Sequence, residues 1–178
     1  MGDGSNSDKA TPVQVVNLSN IIEIAANQNR SMALESDGTV WAWGNNTGGR
    51  LGDGTTTDRN EPVELTSLTN IVQISIGFNH NLALKNDNTV WAWGNNSNGE
   101  LGDGTITDRS SPVEITAISN VIMVSAGRYF SIALLNDGTV MAWGNNQAGQ
   151  LGDASNLDRL TPVQVSGLTN VTFINSLF

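Results

Sequence analysis

EPVELTSLTNIVQISIGFNHNLALKNDNTVWAWG, residues 61–94, holds four short apolar runs, at 62–66, 71–76, 80–85 and 89–94. Each is rich in β-branched or aromatic residues and is bounded by Asn, Asp, Gly, Ser or Pro, the pattern of strands separated by turns. None has the length or the spacing of an amphipathic helix. NDN at 86–88 separates the third run from the fourth, and SDG at 36–38 and NDG at 136–138 stand in the same place. Asp-Gly between two strands marks a tight hairpin, because the turn needs a positive φ. Asn88 is the next best residue in that conformation.

The pattern returns every 50 residues: Trp43, Trp93 and Trp143; Asp53, Asp103 and Asp153; Pro12, Pro62, Pro112 and Pro162. Residues 51–100 and 101–150 agree at 27 of 50 positions, so the chain is a repeat array and must be read as one before any single motif is weighed. A residue present in every unit is more economically explained as framework than as chemistry. Within TVWAWG, Thr39, Trp41 and Trp43 share one face while Val40, Ala42 and Gly44 share the other. Neither face is polar, which predicts a strand buried on both sides. Four-stranded sheets covered in this way by their neighbours make a β-propeller. A β-solenoid would bring strands at shorter intervals and would lack the hairpins.

The expected fold is therefore all-β: a propeller of four-stranded antiparallel blades, about three and a half repeats in 178 residues. One repeat domain is expected over 1–178, with a half unit at 1–26 and successive units at 27–76, 77–126 and 127–176, the last incomplete in its pattern. With 71–76 as a, 80–85 as b, 89–94 as c and 62–66 as d, the chain reads d, abcd, abcd, abcd, a. That makes fourteen strands, with an orphan d at 12–16 and an orphan a at 171–175. VTFINSLF (171–178) departs from the earlier VSAGRYF.

Composition narrows function more by exclusion. Seventeen acidic residues against eight basic ones give a net charge of −9, and no basic run interrupts it, which disfavours nucleic acid. There is no cysteine, hence no disulfide, thiolate metal site or cysteine nucleophile. Apolar runs are too short for a membrane span. The polar start MGDGSNSDKAT contains no signal-peptide core, so a cytoplasmic location is the default expectation, with a removed secretion segment as the alternative.

The long connection NNTGGRLGDGTTTDR (45–59) is expected to be structural. Its glycines permit tight turns, Asp53 and Asp58 accept backbone N–H groups as in Asx turns, and Arg59 pairs with a carboxylate or with carbonyls of an adjacent blade. Ala154, in place of Gly54, predicts a strained or altered turn there. The spacing of Asp53, Asp58 and the threonines fits neither the EF-hand nor the calcium β-roll pattern, and no metal or other cofactor is expected. No helix follows GDG to present N–H groups to a phosphate. His80 is the single histidine, its equivalents are Arg30 and Phe130, and no nucleophile-elbow pattern exists, so the chain is not expected to be an enzyme.

The stretch LALKNDNTVWAWGNNSNGELGDGTITDRSSPVEI (82–115), preceded by ISIGFNH (74–80), resembles the regulator of chromosome condensation repeat, especially bacterial-type units near fifty residues. The resemblance implies a propeller, commonly seven-bladed, that serves as an interaction scaffold. One similar bacterial propeller, the beta-lactamase inhibitory protein, blocks an enzyme. No inserted wedge of the kind used for nucleotide exchange is visible, so that activity is not carried over.

Variation between units locates the expected contact surface. The residues before run b read NQNR at 27–30, GFNH at 77–80 and GRYF at 127–130. The partner-binding candidates are Gln28, Asn29, Arg30, Phe78, Asn79, His80, Arg128, Tyr129 and Phe130, nine side chains expected to line one surface near the axis. Aromatic and arginine residues are the usual anchors of such faces. A second variable tip lies at 47–50, 97–100 and 147–150. The expected partners are a second copy of the chain and an unidentified protein. The alternatives are a carbohydrate-binding propeller and an inactive fragment of a longer repeat protein.

Overall fold

The computed structural model describes residues 1–176. It contains three four-stranded antiparallel sheets, each with its strands in chain order. The first blade is β1 (Ile21–Asn27), β2 (Arg30–Glu35), β3 (Val40–Gly44) and β4 (Arg59–Glu64). The second is β5 (Ile71–Ile76), β6 (His80–Lys85), β7 (Val90–Gly94) and β8 (Arg109–Glu114). The third is β9 (Val121–Ala126), β10 (Phe130–Leu135), β11 (Val140–Gly144) and β12 (Arg159–Gln164). No helix among the described residues is long and apolar enough to cross a membrane.

The hairpins form where the turn residues place them. Gly38, Asn88 and Gly138 take φ of 89°, 67° and 84°, and each donates its N–H back to residue 35, 85 or 135. The fourth strand starts earlier than the apolar pattern indicates, at Arg59, Arg109 and Arg159. Arg59 lies opposite Gly44 across an irregularity in the ladder, so pairing begins three residues before Pro62 in a segment without β-branched residues. Twelve strands are present among the described residues rather than fourteen. Residues 12–16 and 171–175 have no antiparallel neighbour, and extended backbone without a ladder partner is not a strand. Residues 177–178, the end of VTFINSLF, lie outside the described residues.

The blades stack face to face. Met32, Leu34, Val40, Ala42, Leu51 and Leu65 of the first meet Ile74, Ile76, Ala83 and Trp93 of the second. Leu82, Leu84, Val90, Leu101 and Ile115 meet Val124, Ala126, Ala133 and Trp143 in the same way. This explains why the tryptophan strands lack a polar face.

β1, β5 and β9 are the innermost strands, and side chains join each to the next. Gln73 accepts from the Val124 N–H at 2.9 Å and donates to its carbonyl at 3.1 Å. Glu23 accepts from Ile74 N–H at 3.1 Å, and Ser75 Oγ from Ala126 N–H at 3.0 Å. Residues 171–176 lie against β9 likewise: Ile174 N–H meets Met123 Sδ at 3.5 Å and Ser176 N–H meets Ser125 Oγ at 2.9 Å. They occupy the position of a fourth inner strand.

Each long connection is organised by one buried asparagine. Asn96 accepts from Leu101 N–H at 2.9 Å and donates to Asp103, Thr105 O and Thr107 O. Asn46 and Asn146 do the same. Asp53 accepts from Thr55 N–H at 3.0 Å, the expected Asx turn, whereas Asp58 accepts from Asn46 N–H at 2.7 Å, twelve residues earlier, and so closes the whole loop instead of forming a local turn. Arg59 pairs with Asp53 of its own loop at 2.6 Å. Ala154 keeps the left-handed backbone of Gly54, at φ 62° against 78°.

Candidate protein-interaction face

The turns β1–β2, β5–β6 and β9–β10 lie side by side at one end of the blade stack. The loops that follow β3, β7 and β11 start at that same end, since Asn45, Asn95 and Asn145 N–H groups donate to the carbonyls of residues 29, 79 and 129. Gln28, Asn29 and Arg128 are exposed there, and Phe78, Asn79, Tyr129 and Phe130 are half-buried. Arg30 and His80, two of the nine candidates, are buried instead. Both side chains turn sideways into the seam between blades.

Arg30 donates to the carbonyls of Gly77, Phe78 and His80 at 2.8, 2.9 and 3.1 Å and to Asn81 Oδ1 at 3.4 Å. Burial, with the nearby charge of Arg50, lowers its pKa to about 9, so it remains a cation at neutral pH. His80 Nε2 lies 2.8 Å from Ser131 Oγ, and Ser131 donates its own proton to Glu100 O at 2.8 Å. Nε2 must therefore carry the hydrogen, which leaves Nδ1 as an acceptor without a partner. Burial, and then the charge of Arg30, holds the imidazole near a pKa of about 3. Lacking a carboxylate partner and sealed from solvent, His80 is a strut and has no access to a substrate.

Phe78, Arg128 and Tyr129 converge on the exposed side. The two rings meet edge to face with centroids 5.6 Å apart. The Arg128 guanidinium lies 5.3 Å from the Phe78 ring and 5.2 Å from the Tyr129 ring. Edge-to-face aromatic pairs and cation–π contacts both favour this arrangement. The pairing of Phe78 with Tyr129 was invisible in the sequence, since they occupy different positions within their units. A polar depression of about 730 Å³ lies beside the first blade, bordered by Asn6, Asp8, Asn29 and Asp58. Among the described residues no group of acidic or histidine side chains is arranged to hold a metal ion.

The regulator of chromosome condensation (RCC1) repeat model matches residues 37–84, 87–134 and 137–175. A second model of that repeat matches 21–50, 71–100 and 121–150. No curated protein sequence matches the chain at a significant level. Among solved structures, Prp20p from Saccharomyces cerevisiae, described with its binding properties to Gsp1p and histones, is similar at a TM-score of 0.77 and 22% identity, over 86% of this chain and 40% of its own. Yeast RCC1 (Prp20) bound to Kap60 gives a TM-score of 0.75 and 22% identity over 86% and 38%. Human WBSCR16 gives 0.73 and 23% over 82% and 38%. At these identities the likeness establishes the propeller fold. The chain spans about two fifths of the length of the structures it matches.

Proposed function

The chain belongs to the regulator of chromosome condensation (RCC1) repeat family, and we propose that it is a non-enzymatic scaffold that binds a protein partner through its β5–β6 and β9–β10 turns. The observation that carries this reading is the Phe78–Arg128–Tyr129 cluster, aromatic and cationic groups on the exposed end of a rigid stack. Pre-ordered anchors lose little freedom on binding. The protein partners of Prp20p support the class of function. Affinity capture with the parent and with a Phe78→Ala, Arg128→Ala, Tyr129→Ala variant tests it. A protein retained by the parent and lost by the folded variant supports the reading; identical retention rejects it. Binding to a glycan array that disappears in the same variant would favour the carbohydrate alternative.

The narrower reading is that a second copy is among the partners. Ile24 on the first blade and Phe173 beyond the third are 78% and 67% exposed, so both ends of the stack present apolar surface. Light scattering of the purified protein tests this: twice the chain mass supports it, and a stable single-chain mass rejects it.

A further inference from the structure

The innermost strands share an irregularity at the same point. Ile21 pairs with Glu35 and Glu23 with Leu34, so Ile22 is an extra residue, a bulge without a cross-strand partner. Val72 stands out in the same way between Ile71 and Gln73, and Ile122 between Val121 and Met123. All three are β-branched aliphatic residues, and they are 63%, 51% and 48% exposed. Val72 lies on a strand joined to an inner strand on either side, through Glu23 and through Gln73, so its exposure does not come from an end of the stack. Ile71 and Ile74 beside it are buried in the seam. An unpaired side chain facing water gives the fold nothing that a hydroxyl residue would not, and Thr172 stands at the next equivalent position.

Carboxylates alternate with these side chains. The β2–β3, β6–β7 and β10–β11 turns abut the starts of the inner strands. Asn86 N–H donates to Asn70 O at 3.0 Å within the second blade. Ile71 N–H donates to Gly38 O of the first blade at 3.2 Å, and Val121 N–H to Asn88 O of the second at 3.3 Å. Val72 therefore lies between the turns that carry Asp37 and Asp87, and Ile122 between those that carry Asp87 and Asp137. All three carboxylates are exposed, and each accepts the N–H of residue 39, 89 or 139, at 3.0, 3.2 and 2.9 Å. Asparagine would close such a turn as well, so the turn does not require the charge. These N–H donors hold Asp37 and Asp137 below the usual carboxylate range. Lys85, paired with Asp87 at 3.0 Å, is the only basic residue in the three turns, and Glu35 adds another acid.

We infer that this end of the inner strands is a docking surface for a segment of another protein that bears aliphatic residues with basic residues between them. The aliphatic groups cover Ile22, Val72 and Ile122, and the basic groups reach Asp37, Asp87 and Asp137. Charge selects this occupant. The chain carries −9 and no basic run, so a second copy is repelled, as are nucleic acid and an anionic membrane. Stacked sheets lie about 10 Å apart and an extended chain covers that in about three residues, so an aliphatic residue at every third position matches the blades. β5 runs from this end, at Ile71, to Ile76 beside the Phe78 turn. The surface is thus at the opposite end from the proposed partner-binding turns, and the two readings can fail separately.

A fluorescein-labelled nonapeptide of three Lys-Gly-Ile triplets serves as the probe against the full protein, read by fluorescence polarisation. Saturable binding of one peptide per chain is expected. Peptides of Lys-Gly-Ser and of Glu-Gly-Ile triplets should bind at least about tenfold more weakly. In the protein, Val72→Ser with Ile122→Ser should weaken binding by a similar factor. Asp37→Asn, Asp87→Asn and Asp137→Asn together keep the turn bonds and should remove most of the salt dependence. This asparagine variant leaves the core untouched and decides the matter should the serine variant lose stability. Phe78→Ala with Tyr129→Ala should leave binding intact. Absence of saturable binding, equal binding of the serine or glutamate peptide, insensitivity to the asparagine variant, or loss of binding in the Phe78 variant would each overturn the inference. So would self-association of the parent that Val72→Ser with Ile122→Ser abolishes, because a second copy would then occupy the face.

Discussion

His80 Nε2 donates across the seam between the second and third blades to Ser131 Oγ, 2.8 Å away, and Ser131 passes the chain of hydrogen bonds on to Glu100 O. The imidazole is wholly buried and its pKa is depressed to about 3, below the 6.5 of a free histidine. Unfolded protein therefore binds a proton at a pH where folded protein does not. The resulting contribution to stability is complete above about pH 6.5 and is lost as the pH falls toward the folded value. Urea unfolding should show a loss of roughly 2–3 kcal/mol between pH 7 and 4.5. His80→Phe, which places the residue of position 130 there, should flatten this dependence; an unchanged slope would remove His80 as its source.

The loops separate a strong contact from a weak one. Asn96→Ala removes a fully buried side chain that satisfies Leu101 N–H and three loop acceptors, and should cost about 3 kcal/mol. Arg109→Ala breaks an ion pair with Asp103 whose arginine side chain is 35% exposed, and should cost less than about 1 kcal/mol. Burial alone would raise the Asp103 carboxyl, but hydrogen bonds from Thr105 and Arg109 outweigh it and hold the group below its usual range. Chemical denaturation of the two variants side by side reads the difference, and equal losses would contradict this ranking.

Three glycine-site substitutions distinguish backbone strain from crowding. Ala154→Gly relieves a left-handed alanine and should stabilise by about 0.5–1 kcal/mol. Gly104→Ala imposes the same conformation where its Cβ meets only Thr161 at 3.8 Å, and should cost about 1 kcal/mol. Gly102→Ala adds to that strain a Cβ 2.7 Å from the Trp143 indole, and should cost about 3 kcal/mol or more. Melting temperatures in that order confirm the assignment; equal effects of the last two would show that the indole moves aside freely.

Arginines in equivalent turns should behave oppositely. Arg128 is exposed over two rings, so Arg128→Ala should cost less than about 1 kcal/mol of stability. Arg30 is buried with four hydrogen bonds into the next blade, so Arg30→Ala should cost about 3 kcal/mol. Calorimetric unfolding compares them directly.

The framework was legible in the sequence because its signals are local. NDG fixes a hairpin, Val40–Ala42–Gly44 opposite Trp41–Trp43 fixes a strand covered on both sides, and repetition fixes the architecture. The resemblance of residues 74–115 to the repeat family agrees with the family match and with the three blades. Strand ends were less legible: Arg59–Asn60–Glu61 joins a ladder on account of what lies opposite it in β3, information that is absent from its own residue types. In the turns, variation pointed to surface, and that held for Arg128 but not for Arg30 or His80. A long polar side chain beside a blade boundary can turn outward to water or sideways to carbonyls, and only the neighbouring blade decides which. Nothing in the order of residues announced that Phe78 and Tyr129 would share one guanidinium.

The inner strands are joined by single side chains that grip the backbone of their neighbour, as Gln73 grips Val124. Such a grip is indifferent to the identity of the residue it holds, so the array is modular in steps of one whole unit. A gene in which residues 71–120 are copied in tandem should therefore yield a longer stack that withstands urea at least as well as its parent. A single-residue deletion within β5 would instead set every grip along that strand out of phase.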